Sequence, residues 1–295
     1  MAVAAATQRS TARAALAAMR PRQWSKNLLL FAGLLFANKV GDTTRWLEAL
    51  IAFTAYCSAS SAAYLVNDVR DAEHDREHPV KRFRPVASGE LTPRTALWLS
   101  AVLAAGAITA TAFLGPLDVA FLAGFIALQA AYSAGLKHLV LIDVFVISGL
   151  FVIRAAAGAE AVDVQISPWL LICTGLLSLF LALAKRRAEL ILVGADATPG
   201  RPVLEGYSLV LVDQLISVVA ACTVIAYGLY TFTAHDSKAM MATIPFVVYG
   251  VFRYLLLLHR HDLGEEPENV LLGDLPIIVT VLSWAVTAAL ILALT

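Results

Sequence analysis

Residues 49–75 decide the fold, and they read ALIAFTAYCSASSAAYLVNDVRDAEHD. The first 18 of these residues carry no charged side chain, whereas the last nine hold four acidic residues, one arginine and one histidine. A helix that crosses a membrane needs about 20 predominantly apolar residues. The stretch therefore predicts a membrane-spanning helix that ends in a strongly charged segment.

The composition of the whole chain agrees with a membrane location. Of the 295 residues, 59% are hydrophobic and 15% are charged, and the mean hydropathy is +0.75. About a quarter of the residues of a typical soluble protein are charged. The 22 basic and 22 acidic residues cancel, which excludes a nucleic-acid binder because phosphate backbones require a basic excess. A polytopic membrane protein is the class that remains.

Apolar runs recur along the chain and predict nine membrane-spanning helices. An isolated span must satisfy its own backbone hydrogen bonds in lipid, and no segment alternates polar and apolar residues as barrel strands do. The sequence therefore predicts an all-α membrane protein. The nine predicted spans are 27–38, 49–66, 95–117, 119–136, 139–159, 164–184, 214–234, 239–258 and 275–295.

Basic residues predict the orientation, because cytoplasmic loops carry an excess of Lys and Arg. Seventeen of the 22 basic residues fall on one side of the predicted topology. They are the basic residues of segments 9–26, 70–94 and 185–201, together with Lys137 and Arg260. This distribution predicts a multi-pass protein of the cell (inner) membrane with its N-terminus and charged loops in the cytoplasm.

The chain is predicted to form one transmembrane catalytic domain over residues 1–295. Residues 1–23 read as an amphipathic arm on the inner leaflet. Residues 67–94 form an Asp-rich and basic cytoplasmic loop, and residues 185–206 form a second cytoplasmic loop. The sequence leaves the oligomeric state open, a homo-oligomer included.

The acidic side chains that follow the second span share one face of a projected helix. At about 100° per residue, Asp68, Asp71 and Asp75 fall within an arc of roughly 60°, and Asn67 adjoins it. Clustered carboxylates repel one another unless a cation lies among them, and an all-oxygen ligand set favours Mg²⁺. We therefore expect a magnesium site here; the alternative is a solvated loop whose acids pair with neighbouring Arg and Lys.

A basic segment follows the acidic one and contains Lys81, Arg82 and Arg84. Guanidinium groups bind phosphate oxygens through two parallel hydrogen bonds, and Lys acts as a point charge. Cations beside a carboxylate cluster suit a polyanion held jointly by Mg²⁺ and basic side chains. The alternative is positive-inside orientation alone, which explains the basic residues but not the adjacent acids.

The pattern Asn67-Asp68-x-x-Asp71-x-x-x-Asp75, followed by Arg84-Pro85 and Gly89, resembles the first Asp-rich motif of the UbiA-type intramembrane prenyltransferase superfamily. The resemblance implies nine helices around a central cavity that opens to the cytoplasmic side. It also implies that Mg²⁺ holds a diphosphate at the mouth of that cavity.

One departure from the superfamily pattern concerns the loop after the sixth span. Members that prenylate aromatic rings usually carry a second aspartate pair there, whereas this chain reads Lys185-Arg186-Arg187-Ala188-Glu189. Two further features are the motif Arg20-Pro21-x-Gln23-Trp24-x-Lys26-Asn27 and the dipeptide Tyr132-Ser133 before Lys137. Together they resemble the branch that transfers 5-phosphoribose from phosphoribosyl pyrophosphate to a polyprenyl (decaprenyl) phosphate, which supplies cell-wall arabinan synthesis in actinobacteria.

We therefore expect a magnesium-dependent phosphoribosyltransferase embedded in the lipid bilayer. The metal would stabilise the departing pyrophosphate, and the anionic acceptor needs no general base. The expected catalytic metal ligands are Asp68, Asp71 and Asp75, assisted by Asn67. The expected substrate-binding residues are Lys26, Asn67, Lys81, Arg82, Arg84, Tyr132, Lys137, Asp143, Lys185, Arg186 and Arg187.

Ionisable residues inside membrane spans usually face protein or a wet cavity. Asp143 and Arg154 are 11 residues apart, about 20° around a helix, so both are expected to point into the bundle. For Asp143 two alternatives stay open: a purely structural pairing, or contact with the ribose hydroxyls or the basic cluster at 185–187. Asp213 and Arg253 are expected to pair between spans 7 and 8.

Two other functions remain open at this point. A prenyltransferase would use a polyprenyl diphosphate to alkylate an aromatic or other acceptor. A secondary transporter for an anionic solute ranks lower, because transporters place polar groups at the bilayer midplane, whereas the charges here cluster at the predicted cytoplasmic ends.

Overall fold

The computed structural model describes residues 10–36, 41–78, 80–196, 202–234, 238–260, 270 and 273–294, and these residues are overwhelmingly helical. Parts of the predicted arm (residues 1–9) and of the second loop (residues 197–201) lie outside the described residues. The α-helices are α1 (Thr11–Ala18), α2 (Ala32–Phe36), α3 (Thr43–Arg70), α4 (Ala72–Glu77), α5 (Pro93–Ala112), α6 (Pro116–Ala134), α7 (Ile142–Ala161), α8 (Pro168–Asp196), α9 (Leu209–Thr233), α10 (Ile244–Arg260) and α11 (Leu275–Leu294). Short 3₁₀ helices cover Pro21–Phe31, Lys81–Phe83, Leu136–His138, Pro202–Gly206 and Lys238–Thr243.

Eight helices of the described chain are long and apolar enough to cross a membrane, and they correspond to eight of the nine predicted spans. The all-α membrane class is thereby confirmed. The predicted span 27–38 differs: its described part consists of the end of the 3₁₀ helix Pro21–Phe31 and the short helix α2. The expectation of nine membrane-spanning helices is therefore not confirmed within the described residues.

The described part of the first predicted span, residues 27–36, packs its backbone directly against the backbone of α7. A Cβ atom added to Gly158 would lie 2.2 Å from the carbonyl oxygen of Leu30, and one added to Gly33 would lie 2.8 Å from Cα of Ala159. Contacts this short leave no room for a side chain, so glycine is required at both positions. The 3₁₀ segment therefore lies directly on α7.

Two large apolar clusters divide the bundle. One joins α3, α5, α6 and α7 and contains the tilted ring pair of Tyr56 and Phe125, with centroids 5.1 Å apart. The other joins α7 to α11 around Phe180 and Tyr254, whose rings meet edge to face at 5.3 Å. Helix α7 contributes to both clusters and thus connects the two halves of the bundle.

A third apolar cluster docks the N-terminal arm. Ala14 and Ala18 of α1 are buried against Leu65 of α3 and against Val86 and Leu91 of the segment before α5. One face of α1 therefore covers the end of α3, beside the acidic residues.

The charged segments contain more helix than their sequence predicts. Helix α3 continues past the predicted loop start at Asn67 to Arg70, and α4 follows almost at once. Helix α8 likewise runs through the start of the predicted loop 185–206 to Asp196. Many charged side chains in these helix ends form ion pairs within the protein. The helices can therefore continue through these charged residues, where the sequence had predicted solvated loops.

Candidate active site

The first polar centre consists of Arg20, Asp68, Asp75 and Arg84. Nη2 of Arg20 donates to Oδ1 of Asp68 at 2.5 Å, and Nη1 of Arg84 donates to Oδ2 of Asp75 at 2.6 Å. Nη1 of Arg84 also lies 3.5 Å from Oδ1 of Asp68. Both carboxylates are buried, whereas the two arginine side chains are each 29% exposed. Two buried acids are thus balanced by two arginines that reach the surface.

Arg20 reaches this centre from the arm, where α1 meets the 3₁₀ helix that begins at Pro21. Its backbone is left-handed (φ 54°, ψ 62°), a conformation that costs a residue with a side chain about 1–2 kcal/mol. Its guanidinium lies 4.7 Å from the centre of the Tyr64 ring. Oγ of Ser61 secures the same junction, since it donates to the carbonyl oxygen of Met19 and accepts from Nε1 of Trp24. Several contacts to α3 therefore hold Arg20 in place.

The three carboxylates predicted to form one cluster are not assembled in that way. Among the described residues, no three His, Cys, Asp or Glu side chains are grouped closely enough to hold a metal ion. Helix α3 ends at Arg70, and the next residue, Asp71, has φ −93° and ψ 3°, which depart from ideal helix. The regular projection therefore fails at the middle aspartate of the three. Asp68 and Asp75 face Arg84 instead. Asp71, which lies between them in sequence, is half-buried.

One feature of this centre nevertheless suits a cation. Oδ2 of Asp68 is buried and has no hydrogen-bond partner among the described residues. An unpaired buried carboxylate oxygen is costly, and a hard divalent cation such as Mg²⁺ takes this kind of ligand, often with only one or two protein carboxylates. The donor set at the end of α3 therefore fits Mg²⁺.

The predicted phosphate-binding cations occupy different surroundings. Arg82 is exposed, with its guanidinium 4.8 Å from the centre of the Phe83 ring, and Lys81 begins the same 3₁₀ turn. Arg84 lies inside the first polar centre. The turn is fixed by Nδ1 of His78, which accepts hydrogen bonds from the backbone N–H groups of Val80 and Lys81.

The second polar centre consists of Asp143, Arg186, Glu189 and Tyr207. Nε of Arg186 donates to Oδ2 of Asp143 at 2.7 Å, and the hydroxyl of Tyr207 donates to Oδ1 at 2.6 Å. Arg186 also pairs with Glu189, and its side chain is 1% exposed. The expectation that Asp143 contacts the basic cluster is confirmed.

Tyr207 is a member of this centre that the sequence analysis missed. It follows the 3₁₀ helix Pro202–Gly206, and its oxygen also accepts the backbone N–H of Leu141 at 2.8 Å. Burial, reinforced by the hydrogen bond to the Asp143 carboxylate, raises the pKa of Tyr207 above its ordinary value. No local sequence signal identifies Tyr207, because its partner lies 64 residues away.

The expected pair between Asp213 and Arg253 is wrong. Oδ1 of Asp213 accepts from Nε of Arg187 at 2.7 Å, whereas Arg253 pairs with Asp274 at 2.8 Å. The observed pairs join helices that pack against each other. Arg187 on α8 pairs with Asp213 on the adjacent α9, and Arg253 on α10 pairs with Asp274, which directly precedes the adjacent α11. Arg187 is buried and also donates to the carbonyl oxygen of Leu258.

Contacts of α6 connect the two polar centres. Nη1 of Arg70, on the last turn of α3, donates to the carbonyl oxygen of Ser133 at 3.3 Å. The neighbouring Tyr132 lies close enough to Arg186 for an electrostatic interaction, and Lys137 follows in the short 3₁₀ helix Leu136–His138. The structure therefore brings the ends of α3, α6, α7 and α8 together.

Comparison with known proteins identifies the family. The UbiA prenyltransferase family matches residues 27–273. The chain belongs to this family of transferases. It is 36% identical, over 92% of its length and 91% of the relative's, to the decaprenyl-phosphate phosphoribosyltransferase of Mycobacterium tuberculosis. The relative of the same name from Corynebacterium glutamicum is also 36% identical, over 90% of this chain and 83% of that one.

Among solved structures, a UbiA homolog from Archaeoglobus fulgidus bound to GPP and Mg²⁺ shares the fold. Its TM-score is 0.71, and the match covers 95% of this chain and 99% of that one at 16% identity. Identity this low supports the shared fold and carries no residue assignment.

Deeper in this UbiA member, the expectation that Asp143 and Arg154 both point into the bundle is confirmed, since both are buried. Nε of Arg154 donates to Oδ1 of Asn27 at 2.7 Å, and its guanidinium lies 4.6 Å from the centre of the Phe125 ring. Nδ2 of Asn27 in turn donates to Sγ of Cys57. Lys26, the neighbouring candidate, donates to Oε1 of Gln23 at 2.5 Å.

The UbiA bundle also contains a large apolar cavity of about 560 Å³. Its walls come from the 3₁₀ segment and α2 on one side and from α7 to α11 on the other. Leu29, Leu177, Phe180, Tyr254 and Trp284 are representative lining residues. A cavity of this size and polarity suits an apolar chain, not a sugar phosphate.

Proposed function

We propose that the protein transfers 5-phosphoribose from phosphoribosyl pyrophosphate to a polyprenyl phosphate and releases pyrophosphate. The observation that carries the proposal is the 36% identity, over nearly the full length of both chains, to relatives named decaprenyl-phosphate phosphoribosyltransferase. Decaprenyl phosphate is therefore the acceptor proposed here, and the product would serve cell-wall arabinan synthesis.

The end of α3 is the proposed donor site. Asp68, Asp71 and Asp75, assisted by Asn67, would hold Mg²⁺. This assignment is supported by Oδ2 of Asp68, for which the described residues supply no hydrogen-bond partner. When bound, Mg²⁺ supplies positive charge against the diphosphate as it departs. The chemistry breaks the bond between C1 of the ribose and the diphosphate oxygen, and the electron pair leaves with pyrophosphate.

The protein's own cations would bind and orient the remaining phosphates. Lys81, Arg82 and Arg84 adjoin the acidic residues and would hold the donor. Lys26, Tyr132, Lys137 and Lys185 would contact the acceptor phosphate, whose oxygen attacks C1 of the ribose. The acceptor is already an anion, so no side chain has to remove a proton.

The second polar centre would position this site. Arg186 and Arg187 are buried and already hydrogen-bonded to acids, so their proposed contribution is to fix α8 and the Tyr132 region. The apolar cavity would accept part of the polyprenyl chain. With the active site on the predicted cytoplasmic side, the donor would arrive from the cytoplasm.

A donor comparison tests the proposal. Purified protein in lipid nanodiscs receives Mg²⁺, decaprenyl phosphate and a panel of aromatic acceptors, together with either phosphoribosyl pyrophosphate radiolabelled in the ribose or radiolabelled polyprenyl diphosphate. We expect the ribose label to be transferred to decaprenyl phosphate, and no prenylated acceptor to form from polyprenyl diphosphate. Transfer from polyprenyl diphosphate to an aromatic acceptor, without phosphoribose transfer, would contradict the proposal and support prenyl transfer.

A further inference from the structure

Arg20 occupies a position on Asp68 that a cation would take. Its guanidinium donates to Oδ1 of Asp68 at 2.5 Å across a sequence separation of 48 residues. A left-handed backbone at a non-glycine residue persists only where its surroundings hold it there. The hydrogen bonds of Ser61 with Met19 and Trp24, on either side of Arg20, hold the backbone there whichever partner the guanidinium has.

Arg20 is also the cation of the first polar centre that can leave most readily. Arg84 contacts both acids, at 2.6 Å for Asp75 and 3.5 Å for Asp68, whereas Arg20 contacts Asp68 alone among the described carboxylates. Its side chain is 29% exposed, so the guanidinium can move into water without a large desolvation change. A divalent cation on Asp68 would repel it at short range.

We propose that Arg20 exchanges partners during donor binding: Mg²⁺ displaces it from Asp68, and its guanidinium then binds a phosphate group of the donor. The inference rests on the proposed function, in which Mg²⁺ and a diphosphate meet at Asp68. A guanidinium fits two phosphate oxygens at once. Exchange keeps the two buried acids neutralised in both states, first by Arg20 and Arg84 and then by the metal and Arg84.

Magnesium affinity without donor tests the first half of the exchange. Isothermal calorimetry compares the wild type with Arg20→Gln and with the control Arg22→Gln, which removes an equal charge from an exposed position two residues away. Removing the competing guanidinium should tighten Mg²⁺ binding by about tenfold, the size expected for one charge-assisted hydrogen bond. The control should stay within about twofold of the wild type. Equal affinities in the two variants would overturn the inference.

Pyrophosphate binding tests the second half. With Mg²⁺ present, Arg20→Gln should bind inorganic pyrophosphate about tenfold more weakly than the wild type. Arg20→Lys keeps the charge without the planar fork, so its affinity should fall between the two. Because Lys also holds Asp68 less firmly, this variant should bind Mg²⁺ more tightly than the wild type, which supplies the test if the Gln variant does not fold.

The proposed function and the exchange of Arg20 can be contradicted separately. A wild-type protein that binds neither Mg²⁺ nor pyrophosphate would overturn the proposed function together with the exchange. A wild type that binds both, with Arg20→Gln indistinguishable from Arg22→Gln, would overturn the exchange alone.

Discussion

The two polar centres use the same chemistry, arginine against aspartate, in opposite surroundings. In the first centre Arg20 and Arg84 are each 29% exposed, and one oxygen of Asp68 has no hydrogen-bond partner in the part of the chain that the structure describes. In the second centre Arg186 is 1% exposed, and both oxygens of Asp143 accept hydrogen bonds. An ion pair with an exposed member and a spare oxygen can change partners, whereas a sealed and satisfied one cannot without a large loss of stability.

The largest expected effect is on stability, in the second centre. Asp143→Asn removes the charge opposite the buried Arg186. Because Glu189 still pairs with Arg186, the loss should lie near the lower end of the roughly 3–5 kcal/mol typical of a broken buried pair. The free energy of unfolding in detergent micelles measures the loss. Asp163→Asn is the matched control, because Asp163 pairs with Arg45 from a side chain that is 84% exposed; its change should stay within about 0.5 kcal/mol. Equal losses in both variants would contradict the view that the second centre contributes more to stability than an exposed surface ion pair does.

The next effect is on catalysis, in the first centre. Asp68→Asn should lower turnover by about 100- to 1,000-fold, the range found when one preorganised electrostatic group is removed. The folded state should survive, because the freed Arg20 can be hydrated. Initial rates of phosphoribose transfer and thermal melting, measured on the same preparation, separate the two effects.

Asp163→Asn is again the control and should retain wild-type turnover. A near-normal rate for Asp68→Asn would contradict the placement of the metal at the end of α3. A collapse of its melting temperature like that of Asp143→Asn would show that the first centre is structural as well.

The sequence predicted the membrane class and eight long spans because apolar length is a local property that no partner has to complete. The remaining span, 27–38, is short and was also predicted as a helix. Its described part is half 3₁₀ helix, up to Phe31, and half the short helix α2. The cause is the backbone contact of Leu30 with Gly158, a pair 128 residues apart. The sequence shows a glycine at position 158, but it does not indicate which segment packs against it.

The candidate site shows the same limit. The acidic motif marked the location of the first polar centre, because motif residues are close in sequence. Ideal helical projection then failed at Asp71, directly after the end of α3. Arg20 and Tyr207 reach their aspartates across 48 and 64 residues, and the partners of Asp213 and Arg253 were misassigned for the same reason. Ion pairs between helices depend on packing that charge patterns do not encode.

A smaller effect separates the parts of the second centre. Tyr207→Phe removes the hydroxyl that donates to Asp143 and accepts from Leu141. Hydrogen bonds to charged groups contribute about 1.5–3 kcal/mol, so the loss in unfolding free energy should be smaller than that of Asp143→Asn. Tyr249→Phe, at a half-exposed ring, is the control and should be nearly neutral. A Tyr207→Phe variant as stable as the control would mean that Arg186 alone holds Asp143.

The smallest effect concerns the pair of Arg253 and Asp274, which lies outside both centres and shows what an ordinary peripheral ion pair contributes. The hydrogen bond from Arg253 lowers the pKa of Asp274. A carboxyl whose pKa is depressed by folding stabilises the protein above its unfolded pKa of about 3.9, and the contribution is lost as the pH falls through the folded value. Asp274→Asn, which keeps the cap on the N–H of Ile277, should melt slightly below the wild type at pH 7. This difference in melting temperature should vanish in acid, where the wild-type carboxyl is protonated. A melting temperature that stays below the wild type's at every pH would show that the effect comes from packing and not from charge.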